Sequence, residues 1–72
     1  MNKKLILYGE KCSTIFGKIT KELEKMVNED RLTVSTDNLC AMKKLPRWCH
    51  ERGYHVDVRK IEKGKMRFTI KL

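Results

Sequence analysis

The sequence predicts a two-layer α/β sandwich, an α+β arrangement of order β-α-β-α-β-β in which two helices cover one face of a mixed four-stranded sheet. Three observations predict it. Two segments carry apolar residues at steps of three and four, the spacing of one helical face. Three segments alternate apolar and polar residues, the spacing of a half-covered strand. A short apolar run ended by a glycine precedes all of them. The chain has 72 residues, room for one small domain over 1–72, and its 40% hydrophobic content is enough for a core.

Each element follows from its residues. Lys4 to Tyr8 is an apolar run closed by Gly9, read as a strand buried on both sides or nearly so. From Ser13 to about Asn28, Ile15, Phe16, Ile19, Leu23, Met26 and Val27 share a helical face, with Ser13 or Thr14 as the candidate N-cap. Leu32 and Val34 alternate with Thr33 and Ser35 in a second strand. Asp37 or Asn38 caps the second helix, whose apolar set is Leu39, Met42, Leu45, Trp48 and Cys49. Pro46 removes a backbone donor there, which predicts a kink or two short helical pieces. Gly53 is placed to end that helix. Tyr54, Val56 and Val58 alternate with polar residues, Glu62 to Lys65 reads as a hairpin turn, and Met66, Phe68, Ile70 and Leu72 form the last apolar face. The first β-α-β unit is expected to be parallel and right-handed. The polar positions of the last two strands are expected to face solvent.

Composition excludes several functions. A chain this short has no room for a cleft between domains or for an internal cofactor chamber, and no cofactor is implied. Leu5 to Tyr8 is far too short for a signal-peptide core or a membrane span, so no membrane partner and a cytoplasmic location are expected. The cysteines, Cys12, Cys40 and Cys49, are odd in number and sparse, which argues against a disulfide framework. No CxxC pair exists, and His50 and His55 complete no zinc-ligand spacing, so no metal site is expected. There remains a binding module, or a protein whose chemistry rests on one exposed residue.

Cys12 is the candidate for that residue. It follows the first strand and turn and directly precedes the first helix, where the helix dipole and unpaired N–H groups favour a thiolate, the nucleophilic form. Lys11 adds a neighbouring positive charge, and Ser13 a capping hydroxyl. A small buried hydrophobe in a turn is the plainer reading of the same residue. Cys49, on the apolar helical face beside Trp48, is expected in the core. Cys40, in the first turn of the second helix, is read as incidental.

These residues resemble the TusA/SirA-like family of small sulfur carriers over nearly the whole chain. Gly9 stands three residues before Cys12, as the family's glycine precedes its cysteine. LTVSTDN (Leu32–Asn38) matches the family's strand and its Asp-Asp/Asn turn without a gap, and LPRWCHERGYHV (Leu45–Val56) matches its second helix. The departure is at the family's Cys-Pro-x-Pro signature, which here reads Cys12-Ser13-Thr14-Ile15, without either proline. The resemblance implies the sheet order one, two, four, three. It also implies that Cys12 accepts a sulfane sulfur as a persulfide from a donor protein, a cysteine desulfurase or rhodanese-like protein, and passes it to an acceptor protein's thiol. Downstream outcomes in such families include tRNA thiolation, molybdenum-cofactor sulfuration and sulfur oxidation.

The charge offers a second reading. Residues 1–36 carry seven basic and five acidic side chains, residues 37–72 ten and four, so most of the net +8 lies in the second half. Lys43, Lys44 and Arg47 fall on the second helix, and Arg59, Arg67 and Lys71 on the polar face of the last two strands. Such a surface suits RNA, including a tRNA, or an acidic protein partner. The alternative function is therefore a non-catalytic module that binds through this basic surface. No stacking aromatics of the RRM kind accompany it. The same charge can equally serve a carrier as its docking surface.

Overall fold

The structure, a computed structural model, describes residues 2–27 and 29–71. Its elements run β1 (Asn2–Leu7), α1 (Cys12–Lys25), β2 (Arg31–Thr36), α2 (Leu39–Glu51), β3 (His55–Glu62) and β4 (Lys65–Lys71). The sheet order is β1-β2-β4-β3, with β1 parallel to β2 and the other pairs antiparallel. Element order, mixed sheet and strand order agree with the expectation. α1 ends at Lys25, with Met26 extended, short of the expected end near Asn28. Asn28 itself and the last alternating position, Leu72, lie outside the described residues.

Register decides which side chains meet the helices. Leu5, Val34, Phe68 and Val58 line up across the four strands, and Leu32, Ile70 and Val56 form the next row. Onto these rows α1 lowers Ile15, Ile19 and Leu23, and α2 lowers Ala41, Leu45 and Cys49, all buried. Burying each large aliphatic side chain contributes about 1.5–3 kcal/mol. The opposite face has no helices. It carries the row Ile6, Ser35, Arg67 and Arg59, and further along Arg31, Lys71 and His55. The polar alternation of the last two strands thus points to solvent as expected.

The structure corrects five expectations. β1 is an edge strand, not one buried on both sides: Leu7 is buried, but Ile6 is 63% exposed on the open face. The helix layer shields one side of β1 only. Val27 and Leu39 are exposed, because Val27 lies beyond the end of α1 and Leu39 opens α2, where Ala41 takes the core position. Met42 and Trp48 pack at the margin of the core, partly buried. α1 begins at Cys12 with Lys11 as N-cap and no side-chain capping bond, so Ser13 and Thr14 lie inside its first turn. Finally, α2 is one helix through Pro46 and not two short pieces. Proline leaves the Met42 carbonyl without its helical donor, at a cost of about 3 kcal/mol in a helix interior. Leu45 and Cys49, both fully buried, hold the helix on the sheet on either side of it.

The other boundaries follow local chemistry. Asn38 caps α2, its side chain accepting from Ala41 N–H at 3.0 Å. Gly53, at φ +77°, takes the left-handed conformation that ends α2. Gly53 N–H donates to His50 at 3.0 Å and Tyr54 N–H to Cys49 at 2.9 Å, the pair of bonds of a Schellman motif. The chain then reverses into β3, and the hairpin turn lies between Glu62 and Lys65 as expected.

A candidate thiol site between two helix starts

The site begins with the two parallel strands. β1 and β2 pair with partners 29 residues apart, Asn2 with Arg31 through Leu7 with Thr36. Their C-terminal ends are therefore level, and the two strand-to-helix loops run side by side. Polar bonds tie the loops together. Gly9 N–H donates to Asp37 Oδ1 at 2.9 Å, and Asn38 Nδ2 donates to the Glu10 carbonyl at 3.1 Å. Thr36 Oγ1 accepts from Asn38 N–H at 3.1 Å, which orients the cap that starts α2. One residue, Asn38, thus caps one helix and positions the approach to the other. Gly9, at φ +73°, supplies the turn that brings Lys11 and Cys12 back over the sheet.

This arrangement brings together two cysteines. Cys12 is the first residue of α1 and Cys40 the second of α2. Both are reduced and partly exposed, and their thiols lie close enough to perturb each other's protonation. The electrostatics follow from that proximity. The neighbouring Cys40 thiol, with desolvation behind it, holds the Cys12 thiol above its ordinary range. The neighbouring Cys12 thiol holds the Cys40 thiol below its own, with help from Lys44 and Lys43. At Cys12 the neighbouring thiol opposes the thiolate expected at a helix start, while at Cys40 the same neighbour and the two lysines favour the anionic form. Cys49 is different. It is fully buried, and burial pushes its thiol up to about 11, so it is inert.

Sequence reading treated Cys40 as incidental. A signal was present: each cysteine opens a helix directly after a strand, 28 residues apart, close to the 29-residue register of the parallel pair. That offset exists only once the strands are paired.

The basic residues divide between two surfaces. Lys43, Lys44 and Arg47 line an open groove of about 430 Å³ together with Phe16, Trp48 and Glu51. Phe16 lies one turn beyond Cys12 on α1, and Lys44 one turn beyond Cys40 on α2, so the groove leads away from the thiols. Its aromatic floor is Phe16 against Trp48, ring centroids 5.5 Å apart, and Arg52 covers Trp48 at 4.1 Å. Lys11 and Ser13 are exposed at the start of α1. Arg59, Arg67 and Lys71 lie on the open sheet face, in the other layer, and do not join this groove. Among the described residues no group of three His, Cys, Asp or Glu side chains could hold a metal. Nor is any helix among them long and apolar enough to cross a membrane.

The small sandwich thus presents two partly exposed thiols at the starts of two helices, an arrangement suited to sulfur chemistry at the surface. The comparison with known families agrees. The profile of the family described as Sulfurtransferase TusA matches residues 3–72. The chain belongs to that family. No curated protein matches it.

Proposed function

We propose that the protein is a sulfur carrier that holds a sulfane sulfur as a persulfide on Cys12. The observation that supports this reading best is the place of Cys12, first in α1 after the Gly9 turn, in a chain that matches the family from residue 3 to 72. In loading, the proton of Cys12 passes to the neighbouring Cys40, and the Cys12 thiolate attacks the outer sulfur of a donor persulfide. A Cys12 persulfide forms, and the donor leaves as a thiolate. In unloading, an acceptor thiolate attacks that outer sulfur and Cys12 leaves as thiolate. Both steps follow the logic of thiol–disulfide exchange and need access rather than a pocket.

The donor is a cysteine desulfurase or rhodanese-like protein and the acceptor another protein's cysteine, in the cytoplasm, where thiols stay reduced. Lys11, Ser13, Lys43, Lys44 and Arg47 form the rim on which these partners dock. The rim's positive charge favours acidic partner surfaces and raises the rate of encounter.

The open sheet face supports a second reading, contact with tRNA or another polyanion. Arg59 and Arg67 sit directly opposite each other there, with Arg31 and Lys71 two rows further along and Asp57 paired to Lys71 between them. Such contact is expected to weaken steeply with salt, as phosphate binding does. Intact-mass measurement after exposure to a persulfide donor tests the carrier function. A gain of one sulfur atom, absent in Cys12→Ser, is expected. No gain with a donor that loads a control thiol overturns it.

A further inference from the structure

We infer that Cys40 is a second sulfur-bearing residue of this site, taking the sulfane sulfur from Cys12 within the same molecule. The inference rests on the carrier reading for the loading of Cys12, and it adds a step. The physical basis is placement. The parallel β1/β2 pairing levels the two loops, and the Gly9–Asp37 and Asn38–Glu10 bonds lock them together, so the first turns of α1 and α2 are held as neighbours. The first residue of α1 and the second of α2 thus present their thiols as neighbours, each perturbing the other's protonation, and both are partly exposed. In thiol exchange, a nucleophile already held beside the reacting sulfur replaces a bimolecular encounter by an intramolecular one. Lys44 and Lys43, beside Cys40, stabilise the anionic form that attacks.

The step balances without any added reagent. The Cys40 thiolate attacks the outer sulfur of the Cys12 persulfide. A sulfur–sulfur bond forms at Cys40 and the one at Cys12 breaks. Cys12 leaves as thiolate and takes up the proton that the outer sulfur carried, so the new persulfide on Cys40 is anionic. No net oxidation or reduction occurs, and the sulfane sulfur keeps its oxidation level. The transfer moves the sulfur from the start of α1 to the start of α2, one turn from Lys43 and Lys44 and so next to the mouth of the basic groove. Loading and delivery then occur at different residues.

The test is a time course on the whole protein. It is loaded with less than one equivalent of glutathione persulfide, quenched with an alkylating reagent, digested and mapped by mass spectrometry. Sulfur is expected first on the Cys12 peptide and then on the Cys40 peptide, with their sum constant. In Cys12→Ser, whose folding is checked by circular dichroism, loading of Cys40 is expected to slow by about tenfold or more, since direct attack loses the intramolecular advantage. Sulfur that stays on Cys12 alone overturns this inference and leaves the carrier function standing. Equally fast loading of Cys40 in Cys12→Ser overturns it too, as does a Cys12–Cys40 disulfide formed with release of hydrosulfide. Absence of sulfur from both peptides, with a donor that loads a control thiol, removes the carrier reading itself.

Discussion

At the scale of the residue, the protonation of each thiol at the site is tied to that of its neighbour. Two thiols sharing one proton titrate as a pair, and removal of either partner changes the other. The directions can be worked out. Cys40 donates no proton to the resting pair but accepts one, so its thiolate persists to lower pH than that of Cys12. Alkylation followed against pH is therefore expected to reach half its maximal rate at lower pH for Cys40 than for Cys12. Cys40→Ser removes the sulfur that raises Cys12 and is expected to shift the Cys12 profile downward. Cys12→Ser removes the donor that lowers Cys40 and shifts the Cys40 profile upward. Lys44→Met shifts both upward, since the Lys44 charge lowers both thiols. Coincident, unshifted profiles for all four proteins contradict a shared proton.

At the scale of the element, the start of α1 explains how this chain dispenses with both family prolines. The positions are not equivalent. Ser13 is exposed and lies in the first turn, where backbone N–H groups have no partner in the helix. Ile15 is fully buried, and its N–H donates to the Lys11 carbonyl at 3.0 Å, the first bond of the helix. Ser13→Pro is expected to change stability by less than about 1 kcal/mol in urea unfolding. It also keeps the preceding residue out of the helical region, which turns Cys12 from the first helical residue into the cap. Ile15→Pro deletes a core side chain and a helix bond together, and a loss of more than about 3 kcal/mol is expected. Equal effects at the two positions contradict this account. The first family proline is thus compatible with this fold, whereas the second has been exchanged for core packing.

At the scale of the molecule, the charge is arranged at a cost in stability. Arg59 and Arg67 are cross-strand partners on the same open face, and like charges placed directly opposite destabilise a sheet. A net charge of +8 on a fold with a radius of gyration of 11.1 Å adds a general self-repulsion. Arg67→Glu replaces the repulsion with an attraction and is expected to raise stability by about 0.2–1 kcal/mol, read as a higher midpoint in urea. The gain is expected to shrink as salt is added, because exposed pairs are screened. A midpoint that falls contradicts the register-based account. A basic cross-strand pair retained against its own stability is consistent with a face that meets a polyanion.

The periodicities of the sequence determined the order of elements and most of the core: Ile15, Ile19, Leu23, Leu32, Val34, Leu45, Cys49, Phe68 and Ile70 were all legible as faces of helices or strands. Gly53 and Asn38 announced a helix end and a helix start, because their chemistry at those positions is local. Cys12 stood out for the same reason, as a residue read against its own turn and helix. What stayed hidden depended on partners distant in the chain. That β1 lies at an edge, with Ile6 exposed, follows from which strands pair. The persistence of α2 through Pro46 follows from burial on both sides of the proline. Above all, the meeting of Cys12 with Cys40 and the division of the basic residues between a groove and an open sheet face required the register of β1 on β2 and the placement of the helices. Local spacing encodes which face a side chain occupies. Only pairing across the fold decides what that side chain meets, and here it brings two sulfurs to one site.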